Sequence, residues 1–545
     1  MIAASFNWQL VAISVLFFVL LRLFSRRKSG LDNLPGPVSP SWITGNFLQL
    51  FNPSAWKFHE LIAKTYGSVV RLHGPFGTNG LYIFDSKAMH TVLVKNLDIF
   101  EENDGYIALV TFLKVLDLVL GHHHQKQRKM LNPIFSAAHM RDMVPTFFEV
   151  SHKLENALKN QLQSGPQIQD VDVLSWMGRT ALEIMGQAGL GYSFDPLTNE
   201  ESAHPYIGIM KELLPAFMRM QFWNMNVLPY VWKIGPASFR RFIVGLLPLK
   251  DAHHLRDMAD YMYNVGGEIF ESKKLALEKG DEAVSQQIGR GKDLISILMK
   301  ENMKASEEDR LEDSEVLAQV SSDTLTFAAM DTTSTAMARL LHLLSRHPEV
   351  QDKLRQELIE AKHQKDGQDF SYDELVALPY LDAVCRETLR LYPPSSTAAR
   401  VARQDAVIPL SKAITGLDDT EMHEIAVPSG TSIVVSILYA NRNPDLWGEV
   451  EPERWLAPLP DALIEARIPG VYSHLMTFIG GGRSCIGFKF SQLEMKVVIS
   501  VLVESFKFCP SAKDSEILWQ MNHITAPVVG KDSHPQLPIG FSLVK

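Results

Sequence analysis

The sequence predicts a mainly α-helical fold with small β-sheets, built as a single large domain, and three observations carry that expectation. From about residue 120 onward the chain reads helical for most of its length, and charged, glycine-poor stretches such as "EIFESKKLALEKGDEAVSQQ" suit solvated helix faces. Strand-like runs are short: "GSVVRLHG" and "NGLYIFD" near the front, bounded by glycine, and "VPSGTSIVVSILYANR" near the C-terminus, which alternates enough for a strand pair and its connection. Across 545 residues, 46% of them hydrophobic, the interior holds no Gly/Ser/Pro-rich linker, repeat or low-complexity tract, so one continuous core is expected.

The net charge of -9 argues against nucleic acid as a partner, because phosphate binding is driven by clustered Lys and Arg. Only three cysteines occur, Cys385, Cys485 and Cys509. Their spacing matches no zinc or iron-sulfur pattern, and a sparse, odd count suits a reducing compartment.

Taken in chain order, the first element is "WQLVAISVLFFVLLRLF", Trp8 to Phe24, an apolar run of membrane-spanning length followed by Arg26, Arg27 and Lys28. No positive residue precedes it and no small-residue cleavage site follows, which favours an uncleaved anchor over residues 1–28 with the bulk of the protein cytosolic. The competing readings are a buried core helix and a cleaved signal. "LDNLPGPVSP" then supplies a stiff Pro/Gly hinge over 29–45, leaving 46–545 as the main domain. Two apolar, aromatic segments, Leu213 to Trp232 and Phe239 to Lys250, read as helix-packing stripes whose Met and Trp content also suits a membrane-dipping entrance. Ser314 to Ser345 reads as one helix of about 30 residues, about 45 Å long, able to cross a domain. "HPEVQDKLRQELIEA" opens another, with Pro348 in its first turn.

The sharpest chemical signal is "FIGGGRSCIGFKF", Phe478 to Phe490. A helical pattern follows Cys485, so its thiol lies near a helix N-terminus, where free N-H groups favour a thiolate. Glycines 480, 481, 482 and 487 would let the backbone turn its N-H groups toward the sulfur. A catalytic nucleophile would need a positioned base, and none of the 18 histidines stands in a local signature that pairs with this cysteine. A redox thiol would bring a second cysteine nearby. The third reading is a lone thiolate ligand to a metal-bearing cofactor with Arg483 neutralising a carboxylate, and heme, with its two propionates, fits it.

"FIGGGRSCIG" resembles the heme-binding signature of the cytochromes P-450, the heme-thiolate monooxygenases, through Phe478, Gly481, Arg483, Cys485 and Gly487. "ETLR" with Glu387 and Arg390, then "LRLYPP", then "EPERW" with Arg454, resembles the charge cluster of the heme-side core, with Trp455 where the family usually has Phe. "AAMDTT" resembles the oxygen-activation segment, with Ala329 where Gly is frequent. "HHHQKQRKMLNPIF" resembles the helix that usually carries Trp, three residues, then Arg: His124 replaces the Trp and Arg128 keeps its place.

The resemblance implies the cytochrome P-450 fold, 46–545 being the heme-thiolate catalytic domain, and heme b with Cys485 as the metal ligand and Phe478 packed near the cysteine loop. It implies that His124, Arg128, Arg400 and Arg483 hold the propionates, and that Asp331 and Thr332 relay protons toward dioxygen. The acid and alcohol call for such a reason, because polar groups in an apolar helix centre are costly; the bland reading is a Thr hydroxyl bonded to a carbonyl one turn earlier. Substrate contacts fall by resemblance on Phe327, Ala328, Ser396, Thr397 and Ile524. The implied activity is insertion of one oxygen atom into a lipophilic substrate, by resemblance to fungal membrane-bound members a terpenoid of secondary metabolism. Electrons come from NADPH through a separate membrane-bound cytochrome reductase docking near Lys126, Arg128, Lys129 and Lys489. The implied site of action is the endoplasmic reticulum membrane, anchored by one span in membrane lipid. The alternatives are a heme-thiolate isomerase or dehydratase, a fatty-acid or xenobiotic hydroxylase, and a non-enzymatic heme carrier.

Overall fold

The centre of the molecule is a crossing of buried helices, and burial explains their composition. In the computed structural model, which describes residues 30–103, 107, 122–163, 165–198, 204–220, 223–224, 227–231, 234–320, 325–448, 452–532 and 534–544, the helices that position the site are α1 (Trp56–Tyr66), α2 (His122–Leu131), α3 (Ala137–Gln163), α4 (Val173–Ile184), α5 (Pro205–Arg219), α6 (Ala237–Leu246), α7 (Lys250–Lys279), α8 (Asp313–Val320), α9 (Leu325–Arg346), α10 (Pro348–His363), α11 (Pro379–Leu391) and α12 (Phe488–Ser505). Helix α9 packs along α4 and also meets α10, α11 and α12. Every residue of helix α4 except Ser175 is buried, and α12 is buried from Leu493 to Val503. Both are rich in apolar residues yet also bury polar ones, Arg179 and Glu183 of α4 and Glu494, Lys496 and Ser500 of α12, which burial makes costly unless they find partners.

Some of the charge these helices bury is matched, whereas Glu494 of α12 is enclosed with neither carboxylate oxygen hydrogen-bonded among the described residues and is raised well above its ordinary value by burial. Arg179 of α4 donates from Nε and Nη2 to the two carboxylate oxygens of Asp195 at 2.8 and 2.9 Å, and both side chains are fully enclosed. One turn on, Glu183 accepts from the backbone N-H groups of Phe194 and Asp195 at 2.8 and 2.7 Å. Helix α11 starts on Pro379, and the next two N-H groups, of Tyr380 and Leu381, donate to Glu357 of α10 at 2.7 and 2.8 Å, so one helix caps another.

Among the described residues the strands form four small sheets beside the helices. The largest has the order β1-β2-β8-β5-β3, from Val69–His73, Asn79–Ile83, Ser432–Ser436, Thr397–Ala402 and Phe100–Glu101; only the β2-β8 pair is parallel. A three-stranded sheet joins β4 (Gln169–Asp172), β12 (Pro538–Leu543) and β9 (Phe506–Pro510), and two hairpins pair β6 (Ala406–Thr415) with β7 (Glu421–Val427) and β10 (Ile517–Gln520) with β11 (Ala526–Val529). The mainly helical fold with small sheets is therefore as the sequence suggests.

Several local expectations change. "VPSGTSIVVSILYANR" yields one strand, β8, and then a short helix, Ile437–Ala440, because Ser436 caps that helix by accepting from the Tyr439 N-H at 3.2 Å. The segment read as one helix over Ser314 to Ser345 is described as α8 and α9, with 321–324 outside the described residues. Lys273, in a stretch read as a solvated face, is buried and pairs with buried Asp293 at 3.0 Å. The Pro/Gly hinge lies against the body: Leu31 and Leu34 are buried, and the Arg71 N-H donates to the Pro35 carbonyl at 3.0 Å. Among the described residues no helix is long and apolar enough to cross a membrane; the anchor expected over 1–28 lies outside them.

Candidate active site

Cys485 sits on the turn that leads into α12, and the turn's glycines serve close backbone approach. A Cβ at Gly480 would collide with the Pro469 carbonyl, and one at Gly481, whose φ of +76° is itself left-handed, with the Leu93 carbonyl. The loop closes when the Cys485 N-H donates to the Phe478 carbonyl at 2.9 Å. At the sulfur a hydrogen bond from the Gly487 N-H supports the thiolate form. That bond and the nearby Arg128 favour a thiolate, but burial outweighs them and pushes the Cys485 thiol up. Even so, Cys485 keeps accessible surface. A side chain enclosed by protein yet accessible faces an internal space, and a thiolate held there needs a cation, such as iron, to offset its lost hydration.

The facing elements are tied to this loop. Thr333 of α9 donates to Ser491 of α12 at 3.1 Å, one and a half helical turns past Cys485, and so fixes the "AAMDTT" segment to the cysteine helix. Beside it Thr332 donates to the Ala328 carbonyl at 2.6 Å, the local bond that sequence reasoning allowed for. Asp331 is enclosed, and burial raises it to about 6, with the Lys211 ammonium of α5 pulling in the opposite direction. Lys211 in turn is lowered by burial and supported by Asp172 and Asp331. Its Nζ lies 3.9 Å from where a Cβ on Gly178 of α4 would stand, so the lysine runs over a glycine gap in that helix.

Next to the cysteine loop lies a cleft of about 550 Å³ whose walls include His124, Arg128, Gly481, Arg483 and Ser484. Arg128 turns inward from α2, donating from Nη1 to the Ser484 carbonyl at 2.8 Å. Arg400 of β5 is buried and pairs with Glu102 at 3.0 Å. Burial lowers Arg483, with Glu102 opposing the shift and Arg400 and Arg128 adding to it. Burial lowers His124 to about 4, reinforced by Arg483 and Arg128. Glu102 itself is raised by burial against the pull of Arg400 and Arg483. Arg128 and Arg483 thus face the cleft, and Arg400 and the reluctant Glu102 carboxylate interact with Arg483. A prosthetic group that brings two carboxylates and needs one thiolate matches this donor set, so the residues present fit heme.

The Glu387, Arg390 and Arg454 side chains meet in one cluster. Arg390 donates from Nε and Nη2 to Glu387 at 2.8 and 2.7 Å, and Arg454 Nε lies 3.5 Å from the same carboxylate. Trp455 does more than stand in for Phe: its indole N-H donates to Glu387 Oε2 at 3.1 Å. Asn441 links the cluster to the cysteine loop. Its carbonyl accepts from Arg390 Nη1 at 2.8 Å, and its side chain accepts from the Met476 N-H at 2.7 Å and donates to Thr477 Oγ1 at 2.9 Å.

The residues expected at the substrate side separate into two groups. Ser396 and Ile524 are buried, and the Thr525 N-H donates to the Pro394 carbonyl at 2.8 Å, docking the β10-β11 turn beside Ser396 and Thr397. Phe327 packs against the core from α9, and Ala328 keeps an exposed surface. Of the four basic residues expected to receive a reductase, Arg128 faces the cleft and Lys129 is paired with Asp309 at 2.8 Å, while Lys489 lies over the Phe488 ring. Sequence reasoning missed Glu102, Ser491, Lys211 and Asn441, none of which stands in a local motif. The ordinary cost of burying such groups singly was the only signal that could have found them.

Comparison with known proteins adds an independent line. Residues 35–527 match the family model described as Cytochrome P450. The chain is 48% identical over 534 residues to cytochrome P450 monooxygenase 91 of Postia placenta, covering 97% of this chain and 96% of the relative. It is 45% identical over 552 residues to monooxygenase 212 of the same fungus, covering 99% and 100%. A ganoderic acid synthetase of Ganoderma lucidum is 43% identical over 534 residues, 96% of each chain.

Proposed function

Since this chain belongs to the cytochrome P450 family and is a heme-dependent monooxygenase, we propose that it hydroxylates a terpenoid or related lipophilic metabolite, with Cys485 as the iron's thiolate ligand. The observation that carries the ligand assignment is the enclosed yet accessible thiol beside a cleft walled by the Arg128 and Arg483 guanidinium groups. When bound, heme supplies the oxygen-activating chemistry, which a thiolate ligand favours by donating electron density. His124, Arg128, Arg400 and Arg483 hold the propionates, and Glu387, Arg390 and Arg454 brace the loop that presents the sulfur.

Asp331 and Thr332 handle protons. Raised to about 6 by burial, Asp331 gives up its proton more readily than an alcohol and regains it more readily than an ordinary carboxylate. Lys211 draws its charge toward α5. Phe327, Ala328, Ser396, Thr397 and Ile524 form the wall against which an apolar substrate is held.

The terpenoid reading is supported by the ganoderic acid synthetase among the relatives and by the exposed apolar face of α6, where Phe242 and Leu246 are 62 and 65% accessible. That face, with an anchor over 1–28 and the hinge over 29–45, suits residence on the endoplasmic reticulum membrane, where lipophilic substrates partition. Electrons then come from a separate NADPH-dependent reductase, for which Lys126 and Lys489 are the contact candidates.

The test is expression in a membrane-competent host with a cytochrome reductase, followed by product analysis over terpenoid and fatty-acid panels. Reductase-dependent, NADPH-consuming hydroxylation of a terpenoid is expected. Oxidation of fatty acids alone would replace the substrate class, and rearrangement without reductase would replace the reaction.

Asp331→Asn separates function from stability. The folded state holds Asp331 near 6 against an ordinary 3.8, so its contribution is fully present below about 3.8 and is lost as pH rises through about 6. Asparagine escapes that loss. Thermal melts from pH 4 to 7.5 should therefore show the variant gaining on the wild type as pH rises, while substrate turnover falls about 10² to 10⁴-fold, the usual contribution of a positioned acid. A stability gap independent of pH would refute the burial assignment.

A further inference from the structure

We propose that the cluster of Arg339 and Arg442 flanked by the Tyr392 and Trp519 rings, beside the β10-β11 hairpin, binds an oxyanion such as a phosphate or carboxylate group. Arg339 stands on α9 seven residues beyond Thr332, about 10 Å along the helix. Its guanidinium carbon lies 4.2 Å from the Tyr392 ring centroid and 3.6 Å from that of Trp519, so the plane is clamped between two aromatic rings. Its Nε is buried with no hydrogen-bond partner among the described residues. Arg442 shares the Tyr392 ring at 5.1 Å and is anchored from behind by the Leu391 carbonyl, which accepts from its Nε at 2.7 Å.

The charge around this arginine cluster does not balance among the described residues. Asp514, the nearby acid, is occupied by His342 at 3.0 Å and by Arg346 at 3.8 Å. His342 accepts the Trp519 indole N-H at 3.1 Å, so the aromatic wall is itself held in place. Glu60, which adds a weak attraction to Arg442, is bonded to Lys64 at 2.6 Å. Burial lowers Arg339 to about 9, and Arg442 and Arg346 push in the same direction. A guanidinium held by two rings, next to a second one and without a carboxylate, is a preorganised fork whose missing partner is planar or tetrahedral oxyanion chemistry. None of these residues belongs to the cysteine loop or its cleft.

The experiment is calorimetric titration of the full-length holoenzyme, in zwitterionic buffer at constant ionic strength, with inorganic phosphate, with acetate, and with phosphatidylcholine vesicles with and without phosphatidic acid. Saturable binding is expected, weakened at least about tenfold, or 1.4 kcal/mol, in Arg339→Gln. Binding of free phosphate or acetate would identify a soluble anion as the occupant. Binding only to phosphatidic acid vesicles that is lost in Arg339→Gln would identify a lipid headgroup. Arg346→Gln, at an exposed position, keeps the test independent of folding and should weaken binding about two- to threefold through long-range charge alone. Melting without added anion gives a second readout: an unbalanced buried cation predicts that Arg339→Gln is as stable as the wild type or more so, and that phosphate raises the wild-type midpoint only. No saturable binding to any probe, or binding unchanged in Arg339→Gln, would overturn the proposal.

Discussion

Cys485→Ser should abolish the thiolate-type Soret band of the reduced carbon monoxide complex and reduce monooxygenase turnover by more than the roughly 10 to 100-fold typical of losing a supporting group around a metal. The reason is local. Cys485 alone of the three cysteines combines an accessible thiol with a position at the start of a buried helix; Cys385 is buried, its thiol pushed up to about 12 by burial, and Cys509 lies on strand β9 at the far end of α12. Serine keeps the loop's shape, because the backbone bond from residue 485 to Phe478 does not use the side chain. Folding should therefore survive while the electronic signature is lost. Retention of that signature would mean that another group ligates the iron.

Glu387→Ala is expected to have the largest effect on stability. Glu387 and Arg390 are 4 and 1% accessible, and removing the carboxylate leaves Arg390 buried without its counter-charge, at a cost of about 3–5 kcal/mol. Arg454 and the Trp455 indole N-H lose the same partner. Against a total stability of about 5–15 kcal/mol, most of the variant should emerge aggregated or without heme. Through Asn441 the damage reaches Met476 and Thr477, which enter the cysteine loop. Trp455→Phe, which removes one bond and leaves the ion pair, should cost about 1.5–3 kcal/mol at most. Heme content per protein and thermal midpoint, measured on both variants, distinguish a shared carboxylate from a merely local pair. Equal midpoints would contradict the buried-pair account.

The site was legible in the sequence where chemistry repeats at short spacing. The cysteine loop, the Glu387 and Arg390 pair one helical turn apart, and the Asp331-Thr332 segment are each contained within a few residues, so local spacing was enough to single them out. The residues that join these pieces were not legible. Ser491 meets Thr333 across 158 positions of chain, and Glu102 meets Arg400 from a segment without any motif. The same holds for Lys273, whose helical stretch looks solvent-facing until Asp293 is placed against it. Trp455 stands where the resemblance would place Phe, and only the structure shows its indole N-H donating to Glu387 of the charge cluster.

By itself the sequence determined the helical character of the chain, the glycine turn that can carry Cys485 near a helix start, and the resemblance to the family to which the chain belongs. Those properties depend on backbone preference and on neighbours within a turn or two. The tertiary structure alone decided which charges are compensated and which are not: Arg390 by Glu387, Arg179 by Asp195, Arg400 by Glu102, and Arg339 by no carboxylate among the described residues. The cost of burying an ion depends on what stands within a few ångströms of it, and that distance is set by folding distant segments together.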